Sequence, residues 1–495
     1  MRINNFTVSF AKTIISLTLL FGPKLLLAQT RLPAILGSNM VLQRNAPVPI
    51  WGWAAPGKQI KVAFAGQTLT ATAAPDSLWQ VKLSPLAANE TPREMIIQAG
   101  SQQINLSNIL VGEVWLCSGQ SNMEYPIDKT EYKYTDPKRG IDSSEAELQR
   151  PHPGIRTIKI ETKYNFHDAT TNGWQNGEGK MFARSSVVAF FFAKQLRAKL
   201  RVPVGVITSA WNGSRIEPWT PPAAYKNIPA FAEDISQSDT LMDKEPEGKM
   251  YRSMIAPLIP FAIKGVIWYQ GESNCLIEEH DMRYAYKMQA MIDYWRKQWN
   301  LQFPFYYVLV APYHYTDWKN MPHTPETLPK FWEQQVAAAH IPNTAFINIS
   351  DLVDNFSDIH PPYKWIVGQR LANKALAETY KRKGLAHLYP QYKGGKVSGN
   401  KMIVSFKDAK GLRTRDNKTP DFFELAGLDG NYVPANATIK GNTVILFNAK
   451  VPHPTEARFG WTHEATPNLV NADGLPAVPF RTDVKKWTYK VSAGN

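Results

Sequence analysis

Ser121 stands just past a glycine in Leu116-Cys117-Ser118-Gly119-Gln120-Ser121-Asn122-Met123-Glu124, a stretch that continues the apolar run Ile109 to Leu116. The run reads as a buried strand, and the break at Gly119 into a polar turn sets the serine at that strand's carboxyl edge. Open α/β sheets place their chemistry at this edge. A serine hydroxyl is scarcely ionised at neutral pH, so a nucleophilic Ser121 needs a base, an acid to orient that base, and donors for an oxyanion.

Three other stretches carry groups of those types. Ser209-Ala210-Trp211-Asn212-Gly213-Ser214-Arg215 follows a strand and bends at Gly213, where no side chain shields the backbone N–H. Trp268-Tyr269-Gln270-Gly271-Glu272-Ser273-Asn274 follows another, and sets the Gln270 amide and the Glu272 carboxylate at the sheet edge. Ser357-Asp358-Ile359-His360-Pro361 precedes a helical stretch, and its acid and imidazole are two residues apart. That spacing lets Asp358 hold Nδ1–H while Nε2 faces a serine. His314 and His323 lie in a long loop, as substrate contacts or as merely exposed side chains. A lone serine in a polar turn is most often a turn or capping residue, so the inference rests on the combination.

These residues need elements to position them, and the sequence pattern changes twice along the chain. From Leu32 to about Asn108, short alternating runs such as Ile60, Val62, Phe64 and Trp79, Val81, Leu83 are cut by turn residues, which predicts a small β domain over 29–108. From Ile109 to about Pro390, short apolar runs alternate with helical stripes. The runs are 204–209, 265–269, 305–310 and 345–349; one stripe is Tyr284, Met288, Met291, Ile292, Trp295, Trp299, and the other is Ile366, Val367, Leu371, Ala375. This alternation predicts a parallel sheet with helices on both faces over 109–390. Two long connections, Tyr125 to Met181 and Pro312 to Pro329, leave strand ends on the same presumed edge, and loops of that length are expected to be either functional or mobile. After about Gln391 the alternation of period two returns, in Met402, Val404, Phe406 and in Thr443 to Phe447, which predicts a second β-sandwich-like domain over 391–495.

Gly-Gln-Ser-Asn-Met, Trp-Tyr-Gln-Gly-Glu-Ser-Asn and Asp-Ile-His-Pro resemble the signature blocks of the SGNH (GDSL-like) hydrolases, specifically the sialate O-acetylesterase group of carbohydrate esterases. Phe422 to Gly427 and Gly474 to Asp483 are also similar to that group, so the resemblance spans most of the chain. It implies a three-layer α/β/α, flavodoxin-like catalytic domain with a parallel sheet, flanked by the two β domains. It further implies Ser121 as nucleophile, His360 as base and Asp358 as its orienter, with the N–H groups of Ser121 and Gly213 and the Gln270 side chain as the oxyanion hole. Trp211-Asn212-Gly213-Ser214 departs from the more usual Trp-Gly-Gly-Thr, and Gln270 stands where the wider superfamily has Asn. Asn122, Glu272, Asn274 and Arg215 are candidate substrate contacts or supports. Glu272 reads best as a strut, because Asp358 already fills the orienting role, and Arg215 meets either a substrate carboxylate or Glu217. The substrate implied is an O-acetylated sugar or glycan, with sialic acid esters first and acetylated plant polysaccharides such as xylan second. A non-catalytic glycan-binding protein is the alternative of another class. No cofactor and no metal are expected.

The composition sets the context. Arg2 and Lys12 precede the apolar run Thr13 to Gly22, and Ala28 offers a cleavage point, so 1–28 reads as a signal peptide for export to the periplasm or beyond the cell. No later stretch has the roughly 20 apolar residues a membrane span requires. Losing Arg2, Lys12 and Lys24 takes the formal charge from +14 to +11. No cluster of Lys and Arg accompanies that charge, which argues against nucleic acid as a partner. Cys117 and Cys275 are expected as two buried free thiols.

Overall fold

A computed structural model of the chain describes residues 29–129, 147, 149–226, 228–237, 241–242, 245–246, 248–277, 279–318, 321–483 and 487–489. The expected leader and part of the Tyr125 to Met181 connection lie outside the described residues.

The central sheet is mostly parallel. Its spatial order is Thr344–Ile347, Phe305–Val308, Gly265–Tyr269, Gln102–Gly119, Val204–Ala210, His152–Lys159 and Gln175–Gly177, with only the last strand antiparallel to its neighbour. The strands are short, apolar and buried along their length, as strands covered on both faces must be. Trp115 points to one face, against Phe192 of the helix Val187–Leu200 and Tyr380 just past the helix Lys364–Glu378. Trp268 points to the other, edge-on to Trp295 of the helix Arg283–Trp299. The expected stripe Tyr284, Met288, Met291, Ile292, Trp295 and Trp299 is the buried side of that last helix.

Gln102–Gly119 is long because it serves two sheets. Its first half pairs antiparallel with Asn89–Ala99, and its second half is the middle of the central sheet. Asn108, at the expected domain boundary, takes a left-handed φ of 57° within this strand. The N-terminal β residues share one continuous hydrophobic core with the central sheet. The C-terminal strands have a core of their own around Val404, Phe406, Leu425, Val444 and Phe459. Arg458 to Glu326 at 2.7 Å and Arg481 to Glu333 at 2.9 Å tie that region back to the helix Thr327–Ala338 and its start.

One expectation needs correction. The connection from Tyr125 to Met181 is not all loop, since it carries the strand His152–Lys159, which pairs with Val204–Ala210 inside the central sheet. The start at His152-Pro153-Gly154 and the charge of Arg156 disguise it. Arg156 is nonetheless buried, its guanidinium bonded to the backbone carbonyl of Pro153. Likewise, the loop after Pro312 gives way to helix at Thr327, with Pro329 tolerated in the first turn where its missing N–H leaves no gap.

The register decides where the chemistry falls. Gly119 lies opposite Ala210 on one side and Tyr269 on the other, so the blocks beginning at Gln120, Trp211 and Gln270 leave the sheet at one level. Gly119 has a φ of 140°, and a Cβ there would lie 2.1 Å from the Tyr269 carbonyl oxygen. Gly119→Ala is therefore expected to destabilise the protein by about 2 kcal/mol or more, read as a lower midpoint in chemical denaturation.

Candidate active site

Ser121 opens the short helix Ser121–Glu124, immediately after the chain turns away from Gly119. It lines a cavity of about 390 Å³ together with Glu124, Tyr125, Lys159, Trp211 and His360. The structure thus brings Ser121 and His360, 239 positions apart in the sequence, into one wall. Asp358 Oδ1 lies 3.8 Å from His360 Nδ1 and accepts the His360 backbone N–H at 2.9 Å. The first distance is longer than a hydrogen bond.

The neighbouring motif residues are buried cross-braces. Asn122, fully buried, donates to the Glu272 carboxylate and to the Ile359 carbonyl at 3.1 Å, and accepts from Lys364 Nζ at 2.5 Å. Lys364 also donates to the Pro361 carbonyl at 2.6 Å. The residue after the serine therefore grips the residue before the histidine, and Lys364 grips the residue after it. Burial pushes the Glu272 carboxyl above its ordinary value, while its own backbone N–H, Asn122 and Lys364 pull the other way. Sequence reasoning missed Lys364; the only available signal was its place four residues beyond His360, on the first turn of a helix.

Gln270 is expected among the oxyanion donors. It is fully buried, and its amide nitrogen donates to Gln120 Oε1, the Ser214 carbonyl and Asn274 Oδ1 at 3.1, 3.1 and 2.8 Å. Its oxygen accepts from Tyr284 at 2.8 Å. In this arrangement the Gln270 amide braces the sheet edge. Asn274 is also a brace, joining Gln270, the Ile216 N–H, Glu217 and Glu279. Arg215 takes the second of its two expected partners, Glu217, at 2.7 Å. Glu217 shares Lys287 with Glu279, both bonds being in the interior. Burial works against the ionised Glu217, but Lys287 and then Arg215 outweigh it and hold its pKa low; burial prevails at Glu279 and holds that one high.

Gly213 is exposed with a φ of 69°, beside Asn212, whose N–H donates to Glu124 at 3.0 Å. Among the described residues its own N–H makes no hydrogen bond. Cys117 and Cys275 are both buried, and no disulfide joins them. A group with metal-ligand spacing among the described residues, His314, His463 and Glu464, is not in the wall around Ser121. His323 is not in that wall either.

Residues 111–377 match the family model described as carbohydrate esterase, sialic acid-specific acetylesterase. The sialate O-acetylesterase of Homo sapiens is 26% identical over 496 residues, covering 91% of this chain and 92% of the human protein. That of Mus musculus is 25% identical over 518 residues, covering 91% and 94%. A crystal structure of a novel carbohydrate acetylesterase from Xanthomonas citri superposes with a TM-score of 0.81 at 31% identity, covering 92% of this chain and 100% of that one.

The Asn122, Glu272 and Lys364 cluster makes a pH-dependent prediction. Glu272 has a raised folded pKa, so its burial favours folding when it is protonated and is penalised as pH rises from about 4.3, the unfolded value. Lys364→Met removes the compensating cation and is expected to cost about 3–5 kcal/mol at neutral pH. In urea titrations across pH that loss should narrow as the solution is made more acidic; a loss independent of pH would contradict this account.

Proposed function

We propose, for a chain that belongs to the sialic acid-specific acetylesterase family of carbohydrate esterases, that Ser121 is the nucleophile, His360 its base and Asp358 the acid that steadies the imidazole. The chain is a carbohydrate O-acetylesterase, a serine-type carboxylic-ester hydrolase. The observation that carries the residue assignment is the single cavity walled by Ser121 and His360, with Asp358 on the Nδ1 side of the ring.

The chemistry is acyl transfer. With Nδ1–H turned to Asp358, Nε2 takes the proton of Ser121 Oγ as the oxygen attacks the acetyl carbonyl carbon. The carbonyl oxygen gains the negative charge and is met by the N–H groups of Ser121 and Gly213. Collapse of the tetrahedral intermediate expels the sugar oxygen, which takes the proton from His360. Water, deprotonated by the same imidazole, then attacks the acetyl-serine, releasing acetate and restoring Ser121. Gln270 acts one step back, through Gln120 and Ser214, by fixing the loops that carry these donors.

The substrate is an acetylated sialic acid, in keeping with the named relatives, with acetylated xylan as the competing acceptor. The alternation of Trp115 and Trp268 across the sheet supports a three-layer α/β/α domain of SGNH type over 109–390. The separate core beyond residue 400 supports a distinct C-terminal β domain. The leader-like stretch 1–28 supports export, and no helix among the described residues is long and apolar enough to cross a membrane.

Ser121→Ala and His360→Ala are each expected to lower kcat/KM for ester hydrolysis by about 10⁴-fold or more. Asp358→Ala should cost less than either, because its carboxylate is partly solvated and 3.8 Å from the ring. Acetate release from O-acetylated sialic acid and from acetylated xylan, measured in parallel, identifies the acceptor. Release unaffected by Ser121→Ala would refute the assignment.

A further inference from the structure

A second cavity, of about 570 Å³, opens beyond the first and shares the wall formed by Trp211 and Asn212. Its volume is that of a small-ligand site, commonly about 300–1,000 Å³. Its lining has two features that the acetyl chemistry does not use. The first is aromatic. Tyr164 stacks on Trp211 with centroids 4.7 Å apart, and Trp318 faces the same space while 45% exposed. Large exposed rings around a concave surface next to a reacting centre present flat apolar faces, against which the C–H face of a pyranose packs.

The second feature is charge. Arg215 and Lys249 line this cavity, and among the described residues no carboxylate does. Arg215 is already neutralised by Glu217. Lys249 is half-buried, with Nζ 3.8 Å from the centroid of the Tyr164 ring, and no acidic side chain pairs with it among the described residues. Arg252, beside it, sits 4.8 Å from the centroid of Phe166, again with no acidic partner among the described residues. In the first cavity, by contrast, Lys159 is paired with Glu124 at 3.1 Å. An uncompensated ammonium set among aromatic rings favours an anion more strongly than the same group in bulk water would, because the low-dielectric walls exclude screening solvent.

We propose that this second cavity is the subsite for the acceptor portion of the substrate and selects a sugar bearing a carboxylate. In this arrangement the ring packs against Trp318 and the Tyr164–Trp211 pair, and the carboxylate meets Lys249. The inference rests on the esterase reading of Ser121 and deepens it, since it favours an acidic sugar over a neutral one such as xylose at the position next to the ester.

The test is a binding measurement on the full chain carrying Ser121→Ala, titrated with sialic acid and with its methyl ester. Sialic acid is expected to bind about tenfold more tightly than the ester, the scale of one charge-assisted contact. Adding Lys249→Met should abolish that preference, Lys249→Arg should retain it, and Trp318→Ala should weaken both ligands alike. An unchanged melting temperature of the Lys249 variants checks that the fold is intact. Equal affinity for acid and ester, no binding of either, or a preference that survives Lys249→Met would overturn the proposal. Hydrolysis of 4-nitrophenyl acetate by the unsubstituted chain, and its loss in Ser121→Ala, reads the nucleophile separately, so failure of the subsite and failure of the esterase assignment are distinguishable.

Discussion

Asn122 is the constraint on which the site depends. It is one residue past the candidate nucleophile, fully buried, and bonded at once to Glu272, to the Ile359 carbonyl and to Lys364. Those partners belong to two segments, one after Tyr269 and one running from Ile359 to Lys364, that leave the sheet independently of the one carrying Asn122. A catalytic serine and histidine must be held within a fraction of an ångström, and loops by themselves do not supply that precision. A side-chain amide with all of its groups engaged does, because any displacement of one loop leaves a buried donor or acceptor unpaired.

The opposite side of the site is built on the same principle with more charge. Arg215, Glu217, Lys287 and Glu279 form an interior chain of two cations and two acids, with Asn274 filling the remaining acceptors. Gln270 connects this chain to Gln120, and so to the turn before Ser121. Buried ion pairs contribute little net stability relative to apolar packing, but breaking one is expensive. Such a network is suited to fixing one arrangement of loops against its alternatives. It also leaves the cavity wall lined by side chains with other tasks: the imidazole, the exposed Gly213 turn, the aromatic rings and Lys249.

The motif blocks therefore divide their labour differently from what their residue types suggest. Polar residues close to a serine in sequence invite assignment to substrate or transition state, and the resemblance implies such a place for Gln270. In the fold it lies underneath, because the strand Gly265–Tyr269 is central and its exit is covered by the helix Arg283–Trp299, whose Tyr284 occupies the Gln270 oxygen. Whether an amide faces a cavity or a neighbouring helix depends on what packs above it, and nothing within Trp268 to Asn274 encodes that. Lys364 was overlooked for the converse reason. A lysine on the first turn of a helix is ordinarily solvated, and its burial follows from the approach of Asn122, 242 positions earlier.

The sequence by itself determined the alternation of buried strands and amphipathic helices, the glycine breaks that end strands at one edge of the sheet, and the short spacing between Asp358 and His360. All of these depend on local periodicity, on backbone freedom at single residues, or on short spacings, and such properties are carried by neighbouring residues. It did not reveal the strand His152–Lys159, because a proline-rich start and a buried arginine break the apolar pattern on which strand recognition relies. Only the tertiary structure decided that the three strand exits share one level, that Gln270 and Lys364 are buried and bonded to residues far along the chain, and that aromatic rings and Lys249 from separate loops meet in one cavity. These facts come from register and burial between residues far apart in the chain, and the polar groups involved are stable there only because their distant partners complete their hydrogen bonds.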